Sequence, residues 1–240
     1  MQRLLRYIPV SRLPLSLIDK VRGILSNVYE KILWRQIKDG NMPQHLGVIL
    51  DGNRRFARQH GWDVWVGHKY GAEKVRDFLE WCWESKIKVV TLYAFSTENF
   101  QRSRREVDEI MRLAEEKFEQ ILKEARIHKY KVRIKAIGRI NLLPPRVQEA
   151  IRRAEEATKD YDQYLLNIAI GYGGRAEIVD AIRKIAEEVK AGKIDVKDID
   201  EQLIEKHLYT AGIPDPSLTV SYTHPEPTRL LSISYAVFCL

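Results

Sequence analysis

Leu46-Gly47-Val48-Ile49-Leu50 is an apolar run that stops abruptly at Asp51-Gly52-Asn53-Arg54-Arg55. A run this short and this apolar suits a parallel strand buried on both faces, and such a strand obliges the chain to cover it with helices. The pattern recurs three times. Val89 to Ala94 runs into Phe95-Ser96-Thr97-Glu98-Asn99-Phe100, Val132 to Ile137 into Gly138-Arg139, and Leu165 to Ile170 into Gly171-Tyr172-Gly173-Gly174-Arg175. Helical spacing fills the intervals. Val75, Phe78, Leu79 and Cys82 predict a helix that Gly67 to Gly71 leads into and that ends near Ser85. Val107 through Ala125 predict a long one reaching about Arg126, and Pro144-Pro145 opens a third. Ile178, Val179, Ile182, Ile185 and Val189 mark a fourth. Strand, polar loop and helix in repetition predict a single α/β domain with a central, mostly parallel sheet flanked by helices. Ligands of such sheets bind outside the carboxyl ends of the strands, where all four polar loops fall.

The chain has 240 residues, enough for one large domain burying on the order of 70–75% of its unfolded surface. Cys82 and Cys239 have no metal-type spacing and are far apart, which points to a reducing compartment. No run approaches the roughly 18 apolar residues of a membrane span, and a secretory signal is absent, so a cytoplasmic location is expected. The net charge is +7, but residues 1–40 hold eight basic against three acidic residues. The remainder is close to neutral, which argues against a nucleic-acid groove. Within 1–40, a basic arm precedes an amphipathic helix from about Ser16 to Lys38, striped by Ile18, Val21, Leu25, Val28 and Ile32. That helix either docks on its own domain or lies on an anionic membrane. Residues 41–240 are expected to form the α/β domain, atypical after about residue 216.

Asp51, Asn53, Arg54, Arg55, His68, Lys69, Ser96, Glu98, Asn99, Arg102 and Arg175 gather on the predicted sheet edge. Cations outnumber carboxylates here, and an unpaired like-charge contact at about 4 Å costs about 4 kcal/mol at an effective dielectric near 20. A diphosphate with Mg²⁺ relieves that cost, the carboxylate serving the metal and the guanidiniums the phosphates. Asp-Gly-Asn is also plain turn chemistry. Ser103-Arg104-Arg105-Glu106 has capping-box spacing, which accounts for Glu106 structurally. Asn53 stands where an aspartyl-phosphate phosphatase carries its second aspartate. P-loop, nucleophile-elbow and dinucleotide fingerprints are all missing.

Leu50 to Ala57, Gly67-His68, Thr91 to Phe100, Asn167 to Ala169 and Tyr172 to Arg175 resemble, in order, the motifs of the cis-prenyltransferases of undecaprenyl diphosphate synthase type, in their archaeal and eukaryotic wording. The resemblance implies condensation of isopentenyl diphosphate onto an allylic diphosphate such as geranylgeranyl or farnesyl diphosphate, with Z double bonds, giving a long-chain precursor of a glycosyl carrier lipid. It implies Mg²⁺ on Asp51 and a homodimer. Gly52, Asn53, Arg54, Arg55 and Phe56 would cradle the allylic diphosphate with His68. Ser96, Thr97, Glu98, Phe100 and Arg102 would line the substrate site, with Asn99 orienting substrate. The tail would enter an apolar tunnel flanked by residues 72–83 and 107–125.

Two departures accompany it. Val64 replaces a diphosphate-binding arginine of many bacterial members, and after Pro216 the expected isopentenyl diphosphate motif gives way to Ser221-Tyr222-Thr223-His224-Pro225-Glu226. The last 24 residues thus read as a frame slip or truncation, a hypothesis that an in-frame gene with no recoverable motif downstream would overturn. The alternative function is a non-catalytic scaffold subunit of a prenyltransferase complex.

Overall fold

The computed structural model describes residues 28, 29, 32–36 and 40–223. Residues 28, 29 and 32–36 are helical, inside the segment where the amphipathic stripe is expected, and belong to a compact unit of residues 1–42 separate from residues 43–240. The basic arm, the start of that stripe and the tail after residue 223 lie outside the described residues.

Among the described residues, the larger unit is built on five parallel strands: β1 (His45–Asp51), β2 (Val89–Ser96), β3 (Val132–Ile137), β4 (Tyr164–Tyr172) and β5 (Leu218–Thr223), in the order β3-β4-β2-β1-β5. Register explains why the central runs are continuously apolar. Leu46, Val90, Leu166 and Ile134 stand side by side across four strands and are all buried. The helices are α1 (Asn53–Gln59), α2 (Val64–Glu84), α3 (Arg104–Ile121), α4 (Ala125–Lys129), α5 (Pro145–Thr158), α6 (Gly174–Lys190) and α7 (Glu201–His207). Buried Leu79, Cys82 and Trp83 of α2, Met111 and Phe118 of α3 and Val147, Ala150 and Ile151 of α5 join the strands in one core.

Three local features differ from the sequence expectation. Asn53 to Gln59 is a helix rather than a loop, and α2 begins at Val64, which places Gly67 and His68 inside it. The long helix stops at Ile121 instead of continuing to Arg126. Glu124 takes an extended conformation, its carboxylate accepting from Arg126 Nε at 2.9 Å, and α4 starts beyond it. Residues 218–223, assigned to the divergent tail, form a strand parallel to β1.

Candidate active site

The end of β1 turns sharply into α1. Gly52 sits at φ 86, a left-handed conformation that glycine adopts without steric cost. Its N–H donates to Asp51 Oδ1 at 2.6 Å, and its carbonyl accepts from Phe56 N at 2.8 Å. Asp51 Oδ2 lies 4.0 Å from Arg55 Nη2, and the Asp51 side chain is 55% exposed. Helix α1 is seated closely on α2. Gly67 and Gly71 are one turn apart on α2, and a Cβ on either would collide with Asn53, with its carbonyl oxygen at Gly67 and with its side-chain amide at Gly71. Phe56 packs outward in an aromatic group, stacked on Tyr70 at 5.2 Å and close to His60 and Trp62.

That seating brings Arg54, His68 and Arg102 onto one carboxylate. Glu106 Oε1 accepts from Arg102 Nη1 at 3.0 Å and from His68 Nε2 at 3.2 Å, and lies 3.5 Å from Arg54 Nε. Glu106 is buried while Arg54 remains 45% exposed. The surplus of unpaired cations inferred from sequence is therefore corrected: Glu106 neutralises part of it. The capping-box reading of Glu106 holds for its backbone only. Its N–H donates to Ser103 Oγ, while its carboxylate turns to the cations. Burial is the largest influence on the His68 imidazole and pushes its pKa down, against the opposing pull of Glu106. Neutral at pH 7, it donates from Nε2 to the carboxylate.

The second polar loop follows β2. Ser96 Oγ accepts from Asn99 N at 3.2 Å, and Asn99 Oδ1 accepts from Ser96 N at 3.1 Å, a reciprocal cap on the short turn Thr97–Gln101. With its oxygen engaged, the Asn99 amide presents its NH₂ group as a donor. Thr97 packs against Gly173 at the start of α6, Glu98 is exposed, and Phe100 stands edge-on to buried Phe95 at 4.9 Å. Lys69 and Arg175 are exposed.

Behind the cations lies a cavity of about 270 Å³ between the sheet and helices α2 and α3. Asn53, His68 and Gly71 border it at the polar end, and Leu50, Val75, Leu79, Ile110, Phe118 and Ile168 line its apolar body. No cluster of three or more metal-ligating side chains occurs among the described residues. Asp51, a lone exposed carboxylate at a strand end, suits Mg²⁺, which is usually held by one or two carboxylates together with substrate phosphates and water.

A parallel sheet ending in a cationic cleft, with a hard carboxylate beside it and an apolar cavity behind, defines a site for an amphiphile with an anionic head. Residues 49–224 match the prenyltransferase family model for undecaprenyl diphosphate synthases, and the chain belongs to that family. It is 56% identical over 195 residues to the tritrans,polycis-undecaprenyl-diphosphate synthase (geranylgeranyl-diphosphate specific) of Methanocaldococcus jannaschii, covering 81% of this chain and 69% of the relative. The Methanopyrus kandleri protein of the same name is 46% identical over 211 residues, covering 88% and 78%. The crystal structure of lavandulyl diphosphate synthase from Lavandula x intermedia in complex with dimethylallyl diphosphate matches with a TM-score of 0.72 at 35% identity, over 75% of this chain and 77% of that one. The chain is thus a transferase of the cis-prenyl elongating type. The family match runs through β5 to residue 224, past the point where the motif reading loses its place.

Proposed function

We propose that this chain condenses isopentenyl diphosphate onto an allylic diphosphate, and that geranylgeranyl diphosphate, named for its relatives, is its primer. One observation carries the reading: the Arg54, His68 and Arg102 cluster around Glu106 stands at the mouth of an apolar cavity. A diphosphate head on the cations leaves its tail nowhere drier to go than between α2 and α3. The allylic C–O bond breaks and its electron pair leaves with the diphosphate. The isopentenyl double bond attacks the allylic carbon, and a proton is lost to give the new Z double bond.

Arg54, Arg55 and Arg102 stabilise the charge that develops on the departing diphosphate, and His68 donates a neutral hydrogen bond. Asp51 would hold Mg²⁺, which when bound supplies further electrostatic stabilisation of the leaving group. Asn99, its oxygen already taken by Ser96 N, orients substrate through its NH₂ group, and a phosphate oxygen takes the proton. Gly52, Asn53, Ser96, Thr97 and Glu98 shape the rim. Phe56 and Phe100 contribute through packing rather than contact with the cavity. A homodimer, a glycosyl-carrier role for the product and contact of the basic N-terminal segment with anionic membranes complete the reading. No helix among the described residues is long and apolar enough to cross a membrane.

Incubation with labelled isopentenyl diphosphate, Mg²⁺ and allylic primers of increasing length tests it. Geranylgeranyl diphosphate should give the fastest incorporation, and Asp51→Ala should lose on the order of a hundredfold or more, the scale of removing a group that meets developing charge. No incorporation with any primer would sink the reading.

A further inference from the structure

The amino ends of the strands carry chemistry of their own. There, opposite the Asp51 and Ser96 loops, lies a cavity of about 580 Å³, within the roughly 300–1,000 Å³ of small-molecule sites. Strand register places its cations. Val89, Leu165 and Arg133 stand side by side on β2, β4 and β3, with Lys88 one residue before Val89 and Lys135 two residues beyond Arg133. Lys88, Arg133 and Lys135 all line the cavity, and Asp162 is the one carboxylate among its described lining residues.

None of the three cations forms an ion pair among the described residues. Lys88 Nζ donates to the Gln163 carbonyl at 3.4 Å and Lys135 Nζ to the Tyr209 carbonyl at 3.0 Å, bonds that orient an ammonium without cancelling its charge. Lys88 Nζ also lies 4.6 Å from the centre of the Tyr164 ring, and Lys131 Nζ 4.7 Å from that of Tyr161. Both rings line the cavity, and such contacts leave the lysines charged. Asp162 is engaged by Gln163 Nε2 at 3.0 Å. Burial is the main influence that pushes the Lys135 ammonium down, and Arg133 adds to it against the pull of Glu155. Lys86 and Lys131, which lead into β2 and β3 at this edge, hold positive φ without being glycine, a conformation kept at a backbone cost. Positive charge is thus gathered here without its counter-charge.

We propose that this cavity binds a soluble anion carrying two or more linked phosphates, at a site separate from the condensation site. Arg133 and Lys135 are about 7 Å apart along β3, and Lys88 is about 10 Å from Arg133, two strand spacings away across β4. Cations so spread suit charge carried on linked phosphates better than on a single one. Arg133 supplies forked donors and the lysines supply point charges. Because the cations line a concavity, a small ligand fits them better than a lipid surface does. The same chemistry comes from two sources, free inorganic diphosphate and a nucleoside diphosphate, whose base would meet Tyr161 or Tyr164 at the wall. The site is independent of the prenyl-elongation reading, and either can fail alone.

The test treats the full chain with an acetylating reagent, alone and with inorganic diphosphate or ADP at roughly millimolar concentration, and reads each lysine by mass spectrometry. Both probes should slow acetylation of Lys88 and Lys135. Protection by ADP at lower concentration than diphosphate assigns the nucleotide as source, and equal protection assigns the diphosphate group alone. Titration calorimetry with diphosphate should show two binding events. Arg133→Gln should weaken one of them about tenfold or more, the scale of a lost charged hydrogen bond, and Arg102→Gln should weaken the other. Lys88→Gln, at an exposed position, is the second variant and should act on the same event as Arg133→Gln. The proposal fails if neither probe slows acetylation at Lys88 and Lys135, or if sulfate at matched ionic strength protects them equally, which is charge screening alone. It fails also if Arg133→Gln and Lys88→Gln both leave the two events unchanged.

Discussion

His68 Nε2 lies 3.2 Å from Glu106 Oε1, and the same oxygen takes a hydrogen bond from Arg102 at 3.0 Å and faces Arg54 at 3.5 Å. One buried carboxylate thus holds an imidazole and two guanidiniums, from α2, α1 and the turn before α3, in a common orientation. Glu106→Gln keeps the shape and one acceptor oxygen but removes the charge. The guanidiniums then repel without compensation, so stability should fall by about 1–3 kcal/mol, the range for a broken charged hydrogen bond. The KM for the allylic diphosphate should rise more than kcat falls, because the loss is in placing the cations rather than in the bond-breaking step. Urea unfolding and steady-state kinetics on the variant check both. An unchanged KM would show that the cations are held by other contacts.

The pH dependence of stability follows from His68. Burial lowers its folded-state pKa below the ordinary imidazole value of 6.5, with Glu106 opposing. Above the unfolded value both states carry a neutral ring, and the contribution is complete. As pH falls through 6.5 toward the lower folded value, the unfolded chain takes up the proton first and stability is lost. His45 is lowered in the same direction by burial, so the comparison must isolate His68. In His68→Asn the fall in unfolding free energy below pH 6.5 should be shallower than in the parent, with the two curves parallel above it. Denaturant unfolding at several pH values provides the measurement.

Gly67 and Gly71 test how α1 is seated. Alanine normally adds about 1 kcal/mol to an exposed helix position relative to glycine. Here its methyl would meet Asn53, and overpacking of this kind costs about 1–3 kcal/mol. At Gly71 the obstacle is the Asn53 side chain, which can rotate aside. At Gly67 it is the Asn53 carbonyl, which cannot. Gly67→Ala should therefore melt at a lower temperature than Gly71→Ala and lose more kcat/KM, because moving Asn53 shifts Asp51 and Arg54 beside it. Equal effects would mean that α1 slides as a unit.

The inner strands β1, β2 and β4 were legible because both faces of a central parallel strand are covered, which leaves an uninterrupted apolar run such as Val89 to Ala94. Strand β5 was not. Leu218 is 44% exposed on the outermost strand among the described residues, and Leu218-Thr219-Val220-Ser221 alternates instead of running apolar. Asp51 and Arg102 stood out as candidates because they lie in the polar stretches that follow apolar runs, and His68 because Gly67 and Lys69 flank it. Glu106 was passed over because a local cap already explained it, and nothing local reveals that its side chain turns away from the cap. The α1–α2 contact was equally silent, since Gly67 and Gly71 act on a residue 14 and 18 positions earlier. The clue that was present, too many cations for the carboxylates counted, pointed to a missing partner, and Glu106 supplies part of it.

Thr91 occupies the middle of a polar string that crosses three strands. His45 Nδ1 lies 2.5 Å from the Pro214 carbonyl, which can only accept, so that nitrogen carries the proton. Burial keeps the ring neutral, and Nε2 must then accept from Thr91 Oγ1 at 2.8 Å. The same hydroxyl accepts from Asn167 Nδ2 at 3.1 Å. His45 and Asn167 are 2% and 0% exposed. Thr91→Val preserves shape and strand propensity but strands one acceptor and one donor at once. At about 1–3 kcal/mol for each unsatisfied group, the variant should lose roughly 2–4 kcal/mol in urea unfolding, whereas Thr91→Ser, which keeps the hydroxyl, should lose much less. Thr91 pairs in register with Gly47 and Asn167, several residues before the strands reach Asp51 and Ser96. Well below the melting temperature, kcat/KM should accordingly stay near the parent value. A large kinetic loss with stability intact would instead place this string among the elements that shape the active-site edge.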